Sequence, residues 1–216
     1  MDRTDDAFRT LKGTAQARMK VQGSAFLGMA APVQTEPGAE EFIRRVRDEF
    51  FDATHHCYAY RLGSRGDRYR LHDDGEPGGT AGRPILTAID RAGLTDLVLV
   101  VTRWFGGTKL GVGGLARAYA RTAEGVLAAG EVVTWYALAR LRVSFTHDHT
   151  SPVMHIIARF GARVAESDYD TQAHLTLEIR RSRADELTAA LADATRGAAG
   201  IVRLQPATGA AEASPL

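Results

Sequence analysis

The first half of the chain combines a helical stripe of apolar residues with runs typical of strands. After the acidic Glu36, an amphipathic helix is predicted by apolar residues at helical spacing, namely Phe42, Ile43, Val46 and Phe50. The run 97–102 shows no polar alternation, which predicts a central strand covered on both faces. We also expect a frayed or edge start over 1–16, two strands around a glycine-rich bend at 17–33, and a hairpin of His55–Leu62 with Arg68–His72. A Gly/Pro-rich loop at 73–86 should lead into a short helix, and a long helix should begin near Gly113 or Leu115 and end at a cap, Gly130.

The second half restarts with a complete pattern of its own. Its predicted order is strand, helix, two strands, helix and strand, which is the ferredoxin-like βαββαβ unit. A capping box of Ser182 with Asp185 is expected to open its second helix. We therefore predict two α/β domains, 1–132 and 137–206, followed by a disordered tail at 207–216.

Composition narrows the classes of function. The 216 residues carry 27 basic and 26 acidic side chains, a net charge of +1, so a nucleic-acid site has to be a local patch rather than a global field. The single cysteine, Cys57, excludes an internal disulfide and a zinc site built on several cysteines. No apolar run approaches the ~20 residues that span a bilayer, and no secretory signal is visible. We expect a cytoplasmic protein with no membrane partner.

One glycine-rich segment, TRWFGGTKLGVGG at 102–114, lies between a predicted strand and a predicted helix. Unobstructed backbone N–H groups ahead of a helix favour an anion site, although tight turns and close packing explain the same glycines. Arg117 and Arg121 share one helix face with Gly113 and Gly114. No Walker sequence is present, and the partial dinucleotide match at Gly111 lacks the short strand connection and the following βαβ unit.

A second glycine-rich segment, DDGEPGGTAGRP at 73–84, is acidic. Its oxygen ligands suit a divalent cation, but the favoured interpretation is a loop whose carboxylates cap the next helix and pair with Arg83. Two further clusters are weighed in the same way. Cys57 beside His55 is better explained as a buried cysteine than as a nucleophile, and the cluster at 147–149 as solvated histidines rather than a chelate. We predict no metal, no cofactor and no catalytic residue.

Both segments, extended to DDGEPGGTAGRPIL and VVTRWFGGTKLGVGGLARAY, resemble the IMPACT family, in particular its bacterial YigZ-type members. KVQGSAFLGMAAPV, AEEFIRRVRDEF and HHCYAYRL support the resemblance, which covers about residues 10–130. Gly79, Trp104 and Val112 stand where serine, tyrosine and threonine are frequent. The matching loop residues are Asp73, Asp74, Gly75, Glu76, Pro77, Gly78, Thr80, Gly82 and Arg83.

The resemblance implies a first domain like domain IV of elongation factor G, with a left-handed βαβ crossover, and a second like its domain V. It also implies a link to translational control, which is known for eukaryotic relatives. We therefore expect a non-catalytic protein that binds RNA or the ribosome. The alternatives are a protein–protein regulator and a metal-assisted phosphoester enzyme. The expected RNA contacts are Arg103, Trp104, Gly106, Gly107, Lys109, Gly113, Gly114, Arg117 and Arg121.

Overall fold

A computed structural model describes residues 6–204 and the pair 211–212. The chain divides into two compact units, Phe8–Trp135 and a second made of the described residues before Phe8 and after Trp135. The expected boundaries, 1–132 and 137–206, differ from this division at the first residues and at 133–136. Except for the two-residue strand Ala211–Glu212, the tail expected to be disordered lies outside the described residues.

The first unit confirms the mixed α/β class. Its helices are α1 (Glu36–Glu49), α2 (Gly82–Ala92) and α3 (Gly111–Ala129). Its strands are β1 (Ala7–Leu11), β2 (Ala15–Val21), β3 (Ser24–Pro32), β4 (His55–Leu62), β5 (Arg68–His72), β6 (Leu97–Trp104) and β7 (Val132–Tyr136). Five of these strands form one sheet in the order β2-β3-β6-β4-β5, and every neighbouring pair is antiparallel.

The apolar run of β6 explains why the sheet has helices on both faces. Val98 and Val100 pack toward α1, whose own stripe includes Phe42 and Val46. Leu99 and its alternate neighbours face the opposite cluster, which contains α2 and α3. Both faces of the central strand are therefore buried, as its sequence predicted.

One of the two helical crossovers in this sheet is left-handed. β3 and β4 both run antiparallel to β6, so β3-α1-β4 joins parallel strands, and the same reasoning applies to β5-α2-β6. Relative to strand direction, both connections move toward the same side of the sheet. Because α1 and α2 cover opposite faces, the two crossovers have opposite hands. This departs from the usual right-handed rule and agrees with the expected left-handed unit.

The pairing of β1 with β7 was not predicted. Phe8 and Leu11 are buried on β1, and the Phe8 and Trp135 rings pack edge to face at 6.3 Å, so the start of the chain is not frayed at this point. Gly130 is the C-cap of α3, as expected, but its φ of −84° is not the left-handed conformation typical of such caps. Gly130 is required instead by close packing, since a Cβ there would lie 2.7 Å from the Leu11 side chain.

The second unit has the predicted βαββαβ order. Its elements are β8 (Leu138–Phe145), α4 (Thr150–Phe160), β9 (Arg163–Tyr169), β10 (Ala173–Arg180), α5 (Ala184–Ala194), β11 (Gly200–Leu204) and the short β12 (Ala211–Glu212). The sheet order β11-β8-β10-β9 is ferredoxin-like and antiparallel throughout. The expected capping box is wrong: α5 begins at Ala184, and the Ser182 hydroxyl donates to Asp6 at 2.5 Å. No helix in the described part of the chain is long and apolar enough to cross a bilayer.

Candidate functional site

The two glycine-rich segments meet in the first unit through a buried ion pair. Arg103 Nη1 donates to Glu76 Oε1 at 2.6 Å, and these side chains are only 5% and 4% exposed. The Tyr119 hydroxyl donates to the same carboxylate oxygen at 2.7 Å, and Arg103 Nη2 donates to Ser24 Oγ at 3.2 Å. Arg103, expected at an RNA phosphate, therefore holds the two segments together and is not available at the surface.

Cys57 lies beside this pair in the interior of the first unit. Its thiol is fully buried and donates to the Asp73 carbonyl at 3.0 Å and to the Tyr119 hydroxyl at 3.3 Å. Burial raises the pKa of the Cys57 thiol to about 12, which keeps it protonated at neutral pH. The nearby His55 is turned to other partners, with Nδ1 2.7 Å from the Asp74 carbonyl oxygen. The buried-cysteine interpretation is confirmed.

Asp73 caps α2, as the favoured interpretation of the acidic segment requires. Its carboxylate accepts from the backbone N–H groups of Gly79, Ala81 and Gly82 at 2.8–2.9 Å. Partial burial acts to raise the Asp73 pKa, but these donors outweigh it and lower the pKa below its usual value.

The other carboxylates of the loop are also engaged. Asp74 accepts from Arg47 Nη2 and from the backbone N–H of His56, both at 2.7 Å. The expected pairing with Arg83 is wrong, because Asp74 and Glu76 use other arginines. Within residues 6–204 and 211–212, no three His, Cys, Asp or Glu side chains cluster in a way that holds a metal.

The remaining cations of the second segment are on the surface. Lys109, Arg117 and Arg121 are exposed, and none of them makes an ion pair with another described residue. The guanidinium of Arg117 lies over the first turn of α3, where its Nη1 is 3.3 Å from the position of a Cβ on Gly113. The N-cap residue, Leu110, supplies no side-chain hydrogen bond to this turn.

Different structural requirements explain the glycines of this segment. A Cβ on Gly106 would lie 1.9 Å from the carbonyl carbon of Gly23, so the turn between β2 and β3 requires glycine there. Gly107 has a φ of +87°, which favours glycine. Gly114 meets only the Leu110 side chain, at 3.1 Å. Some glycines of the segment therefore permit close packing or a tight turn, and others leave the backbone exposed. The two alternatives drawn from the sequence, close packing and an anion site, each apply to part of the segment.

Aromatic side chains continue this surface. Phe105 is 48% exposed, and the Arg103 guanidinium lies 5.5 Å from its ring centre. Trp104 is half-buried, and its Nε1 donates to Asp52 Oδ2 at 3.0 Å.

The sequence argument missed two further exposed cations, Arg18 and Lys20 on β2. They line a groove of about 460 Å³ with Trp104, Phe50 and Asp52. The alternation of polar with apolar residues in AQARMKV was the signal for an outward row of charges. This alternation does not indicate which side chains of other elements lie beside Arg18 and Lys20.

The fold and these segments define a two-domain protein with an engaged acidic loop and a basic glycine-rich loop, and the comparisons agree with that class. Residues 22–127 match the model of the Impact N-terminal domain, and residues 143–198 match a domain of unknown function, DUF1949. The chain belongs to the IMPACT family, which confirms the resemblance.

Two relatives illustrate the similarity. The IMPACT family member YigZ of Escherichia coli is 29% identical over 188 residues, which cover 86% of this chain and 92% of that protein. The IMPACT family member YvyE of Bacillus subtilis is 40% identical over 116 residues, about half of either chain at 54%. A crystal structure described as that of a hypothetical protein matches with a TM-score of 0.71 and 26% identity, covering 93% of this chain and 98% of the other.

Proposed function

We propose that the first unit binds RNA, in connection with the regulation of translation, through the surface formed by the α3 N-terminus and the loop before it. The contacts are Lys109, Arg117 and Arg121 to phosphates, with Phe105 available for stacking on a base. Backbone N–H groups from Gly107 to Gly114 supply further donors. Family membership supports the connection with translation.

One observation carries the proposal: the acidic side chains of the neighbouring loop 73–76 are already engaged, whereas the cations of this surface are not. Asp73 accepts from backbone N–H groups, Asp74 pairs with Arg47, and Glu76 pairs with Arg103. The local surface is therefore positive although the chain is almost neutral at +1. An unpaired cation over a helix N-terminus is electrostatically unfavourable without an anion, which favours a phosphate there.

Binding of a fluorescently labelled single-stranded RNA, followed by anisotropy at several salt concentrations, tests the proposal. The Lys109→Ala/Arg117→Ala variant is expected to lower the slope of log K against log salt by about 1.4, since single strands release about 0.7 counterion per phosphate contact.

A matched control is Arg44→Ala/Arg203→Ala, which removes the same charge from arginines that are exposed and paired with aspartates. It should leave the slope close to that of the wild type. Absence of binding at low salt, or an equal loss in the control, would refute RNA binding at this surface. A protein partner that is still pulled down, free of RNA, after nuclease treatment and in high salt would favour the protein–protein alternative instead.

A further inference from the structure

A groove lies in the first unit on the sheet face that α1 covers only in part. Lys20, Ala25 and Trp104 are register partners on β2, β3 and β6, so their side chains project from the same face in one row. The small side chain of Ala25 leaves space between the lysine and the indole. The groove measures about 460 Å³, within the roughly 300–1,000 Å³ of typical ligand sites.

The walls of this groove combine two kinds of chemistry. Arg18 and Lys20 are exposed on one side, and neither makes an ion pair with another described residue. Phe50 and Trp104 form the other side, with ring centres 5.9 Å apart and an interplanar angle of 89°. Asp52 holds the indole through its Nε1 at 3.0 Å. A flat aromatic ring joined to an anionic group complements this pair of walls.

We infer that the groove binds one nucleotide of a single-stranded RNA, with the base against Trp104 and Phe50 and the adjoining phosphates at Arg18 and Lys20. This inference rests on the proposed function in taking RNA as the ligand. It adds a separate subsite, because the groove lies on the sheet face of α1, whereas α3 packs on the opposite face.

The groove and the surface around Lys109 adjoin along the chain. Gly23 follows the end of β2 by two residues, and Gly106 packs directly on its backbone. The loop that carries Lys109 therefore starts beside the turn next to Lys20.

Trp104 fluorescence provides a direct readout of the base. The chain has two tryptophans, and the buried Nε1 of Trp135 has no hydrogen-bond partner among the described residues, so Trp135→Phe removes the second signal at low structural cost. In this background, oligocytidine RNA is expected to quench Trp104. An abasic oligonucleotide with the same phosphates should leave its emission unchanged.

Two pairs of substitutions separate the groove from the rest of the surface. Arg18→Ala/Lys20→Ala should weaken the quenching transition roughly threefold to tenfold at low salt, because two phosphate contacts are lost. Arg44→Ala/Arg203→Ala, the matched control, should not move it. Anisotropy that still reports Lys109-dependent RNA binding, with unchanged Trp104 emission, would overturn the groove while leaving the proposed function intact. No anisotropy change with any RNA would overturn both.

Asp52 adds a preference that the same assay measures. A carboxylate only accepts hydrogen bonds, so it favours a base edge with an amino group. Oligocytidine is expected to bind more tightly than oligouridine by roughly fivefold, about one hydrogen bond. Asp52→Asn, which can also donate, should reduce this ratio toward one. Equal binding of the two RNAs by the wild type would contradict this orientation of the base.

Discussion

At the scale of single residues, Glu76 accounts for much of the geometry of the first unit. One carboxylate oxygen accepts from a guanidinium and from a phenol, and together these groups join the acidic loop to β6 and to α3. A buried ion pair adds little net stability because both charges lose their hydration. Substitution of only one of the two charged residues is costly, because the remaining buried charge then has no partner.

Glu76→Gln is therefore expected to lower the free energy of unfolding by about 3–5 kcal/mol, because it leaves the Arg103 charge buried without a counter-charge. Urea unfolding followed by circular dichroism measures this change. Glu166→Gln is the control, since Glu166 is 69% exposed in its pair with Arg140, and solvent screening should make its cost much smaller. Similar costs for both variants would contradict the structural role assigned to Glu76.

Cys57 makes stability depend on alkaline pH. Its pKa is raised from 9.0 to about 12 in the folded state, chiefly by burial. Above pH ~9 the unfolded thiol loses a proton that the folded thiol keeps, so this contribution to the free energy of unfolding declines as the pH rises toward the folded pKa. Cys57→Ala should flatten the decline. A thiol reagent at pH 8 should react only after unfolding, and rapid reaction of the native protein would contradict the assignment.

At the scale of elements, the stripe of α1 and the apolar run of β6 were predicted because each contains its own signal in sequence. β1 and β7 contain too little: each has only five residues, and they pair with each other from opposite ends of the first unit's sequence. The capping role of Asp73 could also be predicted, because this residue shortly precedes the helix that it caps in the sequence. The Glu76–Arg103 pair and the row Lys20–Ala25–Trp104 were not, because both depend on which strands are neighbours and in which register.

Close packing of α3 on β3 makes Gly28 sensitive. A Cβ there would lie 2.4 Å from Val126 Cγ2, so Gly28→Ala should destabilise the protein by about 1–3 kcal/mol. Adding Val126→Ala should recover part of that loss in a double-mutant cycle.

Gly125→Ala tests the same packing from the helix side. Its Cβ would meet only Ala17, at 3.5 Å, so the helical preference of alanine should stabilise the protein by about 0.5–1 kcal/mol. Thermal and urea unfolding of the variants give both values. Loss of stability in Gly125→Ala, or none in Gly28→Ala, would contradict the packing described.

At the scale of the whole molecule, the first described residue belongs to the second unit. The Asp6 carboxylate accepts from Ser182 N at 3.0 and 3.1 Å and from the Ser182 hydroxyl at 2.5 Å, and Asp6 is 2% exposed. The second unit is thus completed by residues from both sides of the first.

Asp6→Ala should lower the stability of the second unit by about 1–3 kcal/mol, because the N–H and hydroxyl of Ser182 lose a charged acceptor. Both tryptophans lie in the first unit, so their fluorescence reports that unit, whereas far-UV circular dichroism reports both. The variant is expected to shift the dichroism transition and leave the tryptophan transition unchanged. A shift of the tryptophan transition alone would show that Asp6 stabilises the first unit, and it would contradict the assignment of Asp6 to the second unit.

The edge-to-face contact of Phe8 with Trp135 means that the first unit begins and ends at the same place. When the two ends of a segment lie side by side, a short linker can join them, and new termini can be made at another position. The turn between β4 and β5 offers such an opening, because Arg65 and Asp67 in this turn are exposed. A circular permutant of the first unit made this way should keep the fold of that unit.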